Sequence, residues 1–170
     1  MAQISHSSSF SYDVFLSFRG RDTRLGFTGN LYKALTDKGI HTFIDHEKLK
    51  SGEEITPALE KAIQESRIAI IILSTDYATS SFCLDELAYI FEWREAKNVL
   101  VLPVFYEVDP SDVRHQRGSY GQALDKHEER WKLNMDKLQK WKKALQQVSN
   151  FSGYHFKQGY PTLLYNYLLD

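Results

Sequence analysis

Two segments carry residue types that could do chemistry. The first is Phe18-Arg19-Gly20-Arg21-Asp22-Thr23-Arg24, with three arginines and a glycine in seven residues. Arginine suits phosphate, and glycine lets a ligand approach the backbone. Neither G-x-G-x-x-G nor G-x-x-x-x-G-K-[ST] occurs there, so a standard dinucleotide fingerprint or P-loop is absent. The second is Ser80-Ser81-Phe82-Cys83-Leu84-Asp85-Glu86-Leu87. With Ser81 as N-cap, Glu86 falls in the second turn of a helix. If Leu84, Leu87, Ala88 and Phe91 face a core, Glu86 lies ~200° round from Leu84 at about 100° per residue. It then points away from the core, with Cys83, Tyr89 and Trp93. That makes Glu86 a candidate functional carboxylate, with a surface charge as the alternative. Asp85 reads as an acid that favours a helix start.

Other candidates are weaker. Residues 45–54 form a long polar loop, of a kind that is often functional. Asp45 at a strand end fits a phospho-acceptor, although such receivers need an acidic cluster where this chain has arginines. His46 and Glu47 lack a diagnostic metal spacing, and no metal site is expected. Cys83 with His41, His46 or His115 has no local thiol-protease signature, and a free cysteine is more often a small hydrophobe. The 126–143 stretch holds seven Lys and Arg against three Asp and Glu. It reads as a solvated helix face or, less simply, as a nucleic-acid surface.

The elements that position these residues follow from the changing hydrophobic period. Residues 12–18, 41–44, 68–73, 99–105 and 154–156 read as strands. Residues 68–73, Ile-Ala-Ile-Ile-Ile-Leu, are apolar on both faces, as in the middle of a parallel sheet. Pro103 lacks an N–H and points to an edge or a bulge. Helices are expected around Phe27, Leu31 and Leu35 with Gly39 at the C-terminal end, after the Thr56-Pro57 cap, and along Leu84 to Phe91. The 111–148 region is helical with a break near residues 118–121. Such alternation predicts an α/β three-layer sandwich, flavodoxin-like, with a five-stranded parallel sheet in the order 2-1-3-4-5. Ligands of that topology bind beyond the carboxyl ends of strands one and three. Here those ends feed residues 18–25 and 74–81.

Composition bounds the rest. The chain has 170 residues, 21 Lys and Arg against 22 Asp and Glu, and a net charge of -1. That balance argues against a dedicated DNA binder and gives no drive toward anionic membranes. Cys83 is the single cysteine, so an internal disulfide and a cysteine-rich zinc site are excluded. No apolar run approaches the ~20 residues of a membrane span. The Ser-rich residues 1–11 read as a disordered leader without a signal peptide, 12–156 as one domain and 157–170 as a helical tail.

Several blocks in order carry a resemblance. Tyr12-Asp13-Val14-Phe15-Leu16-Ser17-Phe18-Arg19-Gly20 with Arg21-Asp22-Thr23-Arg24 closely resembles the opening motif of plant TIR (Toll/interleukin-1 receptor) domains. Gly39-Ile40-His41-Thr42-Phe43-Ile44-Asp45 and Gly52-Glu53-Glu54-Ile55 look like the second strand and BB loop. Cys83-Leu84-Asp85-Glu86-Leu87, Pro103-Val104-Phe105-Tyr106 and the segment 108–114 match further blocks. The resemblance implies the flavodoxin-like fold and a role in plant immune signalling in the cytoplasm, or in both nucleus and cytoplasm. It implies hydrolysis of NAD+, or NADP+, to nicotinamide and ADP-ribose-type products, without a cofactor. The catalytic glutamate maps onto Glu86, and substrate contacts onto Arg19, Gly20, Ser80, Phe82 and Cys83. Self-association completes the site through a neighbour's BB loop, here Asp45, Lys50, Gly52 and Glu53. Downstream plant immune proteins are implied partners. A non-catalytic TIR–TIR scaffold stands as the alternative. So does 2′,3′-cyclic nucleotide synthesis from nucleic acid, to which the position of Cys83 is tied. Three departures bear on activity and assembly: Arg21 where many members have Glu, Phe82 for Trp, and Gly29-Asn30 for Ser-His.

Overall fold

A computed structural model describes residues 10–45, 54–130, 132 and 134–157. Five strands form one parallel sheet: β1 (Tyr12–Phe18), β2 (Thr42–Phe43), β3 (Ser66–Leu73), β4 (Leu100–Tyr106) and β5 (Tyr154–Phe156). Their order is β2-β1-β3-β4-β5, as the strand–helix alternation predicts. The chain therefore reverses direction across the sheet between β1 and β3. Leu16, Ser17 and Phe18 pair there with Ile70, Ile71 and Ile72.

Period-two alternation divides the core. Val14, Leu16, Phe18, Ile70, Ile72 and Val104 pack on one side with Phe27, Leu31 and Leu35 of α2 (Phe27–Asp37). Phe15, Ala69, Ile71, Leu73 and Phe105 pack on the other. That second layer holds α3 (Pro57–Gln64), α4 (Ser81–Lys97), α5 (Pro110–His115), α6 (Gly118–Arg130) and α7 (Met135–Val148). A short α1 (Gly20–Thr23) precedes α2. The unbroken apolar run of β3 is thus explained: each of its faces is covered.

Local signals set the helix ends. Thr56 accepts a hydrogen bond from the Leu59 amide, with Pro57 opening α3. Gly39, at φ 77°, turns the chain after α2, where a side chain would be strained. Three expectations need correction. Pro103 lies in neither an edge strand nor a bulge, because β3 and β5 flank β4 on both sides. The β5 ladder starts at Val104↔Tyr154, one residue beyond Pro103, so the missing N–H takes nothing from it. The helical break lies at residues 116–117, not 118–121. Gln116, with φ 49°, ends α5 in the left-handed region, and Gly121 continues α6. The second strand is two residues long rather than four.

The expected helical tail falls almost wholly outside the described residues, as do Lys50, Gly52, Glu53, His46 and Glu47. No helix among the described residues is long and apolar enough to cross a membrane.

Candidate functional site

The carboxyl ends of β1 and β3 open into two loops that are stitched together. Asp22 does the stitching: its Oδ2 accepts from Ser74 Oγ at 2.6 Å and from the Asp76 amide at 3.2 Å. Its Oδ1 lies 4.0 Å from Arg19 Nε. That nitrogen is buried and meets no hydrogen-bond acceptor among the described residues. A guanidinium nitrogen of this kind can donate to an anion. Arg24 is committed elsewhere. Its Nη2 donates to the Asp45 carbonyl at 2.6 Å, and its guanidinium lies 5.2 Å from the Phe18 ring centre. The first loop therefore grips the backbone at Asp45, just beyond β2.

The 74–80 segment is fixed from several directions. Tyr120 of α6 donates to the Ser74 carbonyl at 2.8 Å. His127 Nε2 lies 2.8 Å from the Ala78 carbonyl, so that nitrogen carries the proton. Tyr77 is fully buried, with its hydroxyl 2.8 Å from Ser17 Oγ. Burial pushes the Tyr77 phenol well above its ordinary range, and the nearby Cys83 and Glu86 push it further. Burial does the same to Tyr120, helped by Cys83, Asp22 and Asp76. Both phenols are neutral hydrogen-bonding groups at physiological pH.

Helix α4 starts from this platform. Ser80, not Ser81, is its N-cap, accepting from the Cys83 amide at 3.2 Å. Cys83 is 2% exposed, and its Sγ lies 3.6 Å from the Phe18 carbonyl, on the end of β1. Phe82 is 6% exposed and part of the core. Glu86 is 0% exposed. The expectation that Glu86 points away from the core is thus corrected. The wheel argument assumes one buried stripe. Instead α4 touches α3, α7, β1 and the 77–79 turn, and buries Phe82, Cys83, Leu84, Glu86, Leu87, Ile90 and Phe91. A helix enclosed this way has no single polar face for its acid.

Arg19, Gly20, Ser80, Phe82, Cys83 and Glu86 therefore gather around the ends of β1 and β3, at the switch point named from topology. Asp45 sits at the rim through Arg24. The sequence reading missed the residues that hold this arrangement: Ser17, Asp22, Tyr77, Tyr120 and His127. One signal was present, a tyrosine among small residues directly after the all-apolar strand. No cluster of three or more His, Cys, Asp or Glu suits a metal among the described residues.

Several bases of the 126–143 stretch stand beside acids. Lys137, Lys140 and Lys143 of α7 stand 3.4, 3.2 and 4.0 Å from Asp85, Glu92 and Glu95 of α4. Lys142 lies 3.9 Å from Glu128.

Comparison with known proteins bears on this geometry. Residues 11–163 match the TIR domain family. The chain is 48% identical to the TMV resistance protein N of Nicotiana glutinosa over 153 residues, covering 90% of this chain and 13% of that protein. It is 52% identical to the disease resistance protein RPV1 of Vitis rotundifolia over 145 residues, covering 85% of this chain and 10% of that one. The chain thus spans only a small part of these relatives' length. Among solved structures, the TIR domains of the activated Roq1 resistosome superpose with a TM-score of 0.87 at 46% identity, covering 94% of this chain and 98% of theirs. That resistosome directly recognises the pathogen effector XopQ. The RPS4 and RRS1 TIR domain heterodimer, at 17% identity, shares the fold with a TM-score of 0.53 over 92% of each chain. Sheet order, motif blocks and family match agree, and the chain belongs to the TIR-domain family.

Proposed function

We propose that this TIR domain self-associates and cleaves NAD+, or NADP+, between nicotinamide and ribose in plant innate immune signalling. The observation that carries the reading is Glu86, a carboxylate with no solvent exposure at the switch point. Acidic side chains are almost never fully buried without a specific reason. As the C1′–N bond breaks, nicotinamide leaves neutral and positive charge develops on the ribose. A fixed carboxylate stabilises that charge, and water then adds to C1′ with release of a proton. Because the leaving group departs neutral, no second acid is needed, and the reaction takes no cofactor. In this reading Arg19, whose Nε is buried, holds the pyrophosphate. Gly20, Ser80, Phe82 and Cys83 supply the further substrate contacts in this reading.

The burial of Glu86 also sets a requirement: substrate reaches the carboxylate only after the chain covering it shifts. Assembly through TIR–TIR contacts supplies that shift. The loop from Asp45 through Lys50, Gly52 and Glu53 completes a neighbour's site. The names of the relatives, disease-resistance proteins and a resistosome, support the immune setting; cytoplasmic action and downstream immune partners are part of the same proposal.

The test is nicotinamide release by concentrated protein, comparing the parent chain with Glu86→Gln after fold and assembly are checked. Loss of release in the variant is expected; equal turnover overturns the catalytic role. The second reading, a scaffold acting through TIR–TIR contacts alone, is favoured by the same complete burial. It stands if the parent chain assembles yet leaves NAD+ intact.

A further inference from the structure

We propose that Tyr77 is a positioning residue for Glu86, holding the first turn of α4 against the end of β1 through its hydroxyl. The proposal rests on the catalytic reading of Glu86. Cys83 presents a carbonyl to the Tyr77 hydroxyl, 3.1 Å away. A carbonyl only accepts, so the phenol proton is spent there. The Ser17 hydroxyl, 2.8 Å from the same oxygen, must then donate to it. The chain of donors runs from Ser17 in β1, through Tyr77 in the 74–80 segment, to the first turn of α4, the turn just before Glu86.

Each link is constrained. Ser17 is 0% exposed and pairs with Ile71 in the middle of the sheet, so its donor cannot wander. Tyr77 is 0% exposed and donates without a competing water. Cys83 precedes Glu86 by three residues, so the two lie on neighbouring positions of one helix face. Fixing the Cys83 carbonyl therefore fixes the rotation of the first turn and, through the helix, the direction of the Glu86 side chain in the next one. Catalysis by a carboxylate depends on such placement to within a fraction of an ångström. The closeness of Glu86 is visible in its raising of the Tyr77 phenol. The hydroxyl stays protonated, so Tyr77 acts as a fixed dipole and not as an acid or base.

The experiment compares Tyr77→Phe, Ser17→Ala, the double variant and Glu86→Gln in the full chain. Nicotinamide release gives kcat and KM, and amide hydrogen exchange follows residues 81–87. Tyr77→Phe keeps the ring and its packing. Loss of one buried hydrogen bond is expected to lower kcat about tenfold and to speed exchange at 81–87 about tenfold, with KM little changed. The double variant should be no worse than Tyr77→Phe, because both changes cut one chain. Unchanged kcat and exchange overturn the proposal, as does a double variant whose losses add in full. If Tyr77→Phe fails to fold, Ser17→Ala carries the test, since it removes the donor to the same phenol. If Glu86→Gln turns over at the parent rate, the catalytic reading fails and takes the kinetic part with it. The exchange pattern then decides alone whether Tyr77 holds the turn.

Discussion

Trp141 Nε1 donates to Asp85 Oδ1 at 2.8 Å, joining α7 to the helix that carries Glu86. Trp141 is 1% exposed, and Lys137 Nζ lies 3.4 Å from the other carboxylate oxygen. Asp85 is therefore not an acid placed for the helix dipole, and the first turn of α4 holds no acid at all. It is the pin between two helices. Asp85→Ala should leave a buried indole N–H without its acceptor and cost about 2 kcal/mol. Asp85→Asn keeps an oxygen acceptor and should cost less. Urea unfolding midpoints check the ranking, and equal stability of all three chains would refute it.

Gly153 makes a second tight joint. A Cβ there would stand 2.2 Å from the Pro103 carbonyl oxygen, so backbone meets backbone just before β5 begins. Gly153→Ala should push β5 from β4 and destabilise by about 1–3 kcal/mol, the usual range for overpacking. Amide exchange should rise in Tyr154 and Phe156 before it rises in β1. Protection equal to that of the parent chain would show that the loop yields without cost.

The legible parts of this protein were those written in neighbouring residues. Residues 68–73 announced a strand covered on both faces, and Thr56-Pro57 announced a helix start. The sheet order and the switch-point loops followed from them. Glu86 was expected on an outward face of its helix, and the structure buries it instead. Helical spacing tells which residues share a face. It does not tell how many neighbours a helix will have, and α4 is enclosed by α3, α7, β1 and the 77–79 turn. Tyr120 to Ser74, His127 to Ala78 and Trp141 to Asp85 join residues 46, 49 and 56 apart. No local pattern encodes such pairings, which is why the platform beneath the site was invisible.

The lysines of α7 offer a test of the nucleic-acid reading. Lys140 and Lys143 face Glu92 and Glu95, and all four side chains are more than half exposed. Exposed pairs like these contribute about 0–1 kcal/mol each, so Lys140→Ala and Lys143→Ala should barely move the unfolding midpoint. With acids beside them they make a weak phosphate surface. RNA binding measured across a salt series should be weak, with a shallow slope. A steep slope, which reports several phosphate contacts, would revive the reading.

His127 predicts how the platform responds to acid. It is 8% exposed, stacks edge-on against Trp141 with ring centres 5.1 Å apart, and holds the Ala78 carbonyl. Burial lowers its pKa below the ordinary histidine value; the Arg130 and Lys137 charges lower it further, while the Ala78 bond and Asp85 oppose them. A base depressed in the folded state binds its proton more readily once unfolded. Its contribution to stability is therefore full above the unfolded value of about 6.5 and is lost as pH falls toward the lower folded value. Below the folded value no further loss comes from this group. His127→Gln, which retains a donor for Ala78 but does not titrate, should flatten this part of the profile. Thermal unfolding of both chains between pH 7.5 and pH 5 reads the difference. The parent chain should lose more Tm than the variant across that interval, because only the parent takes up a proton at this position on unfolding. Parallel profiles would show that His127 ionises equally in both states.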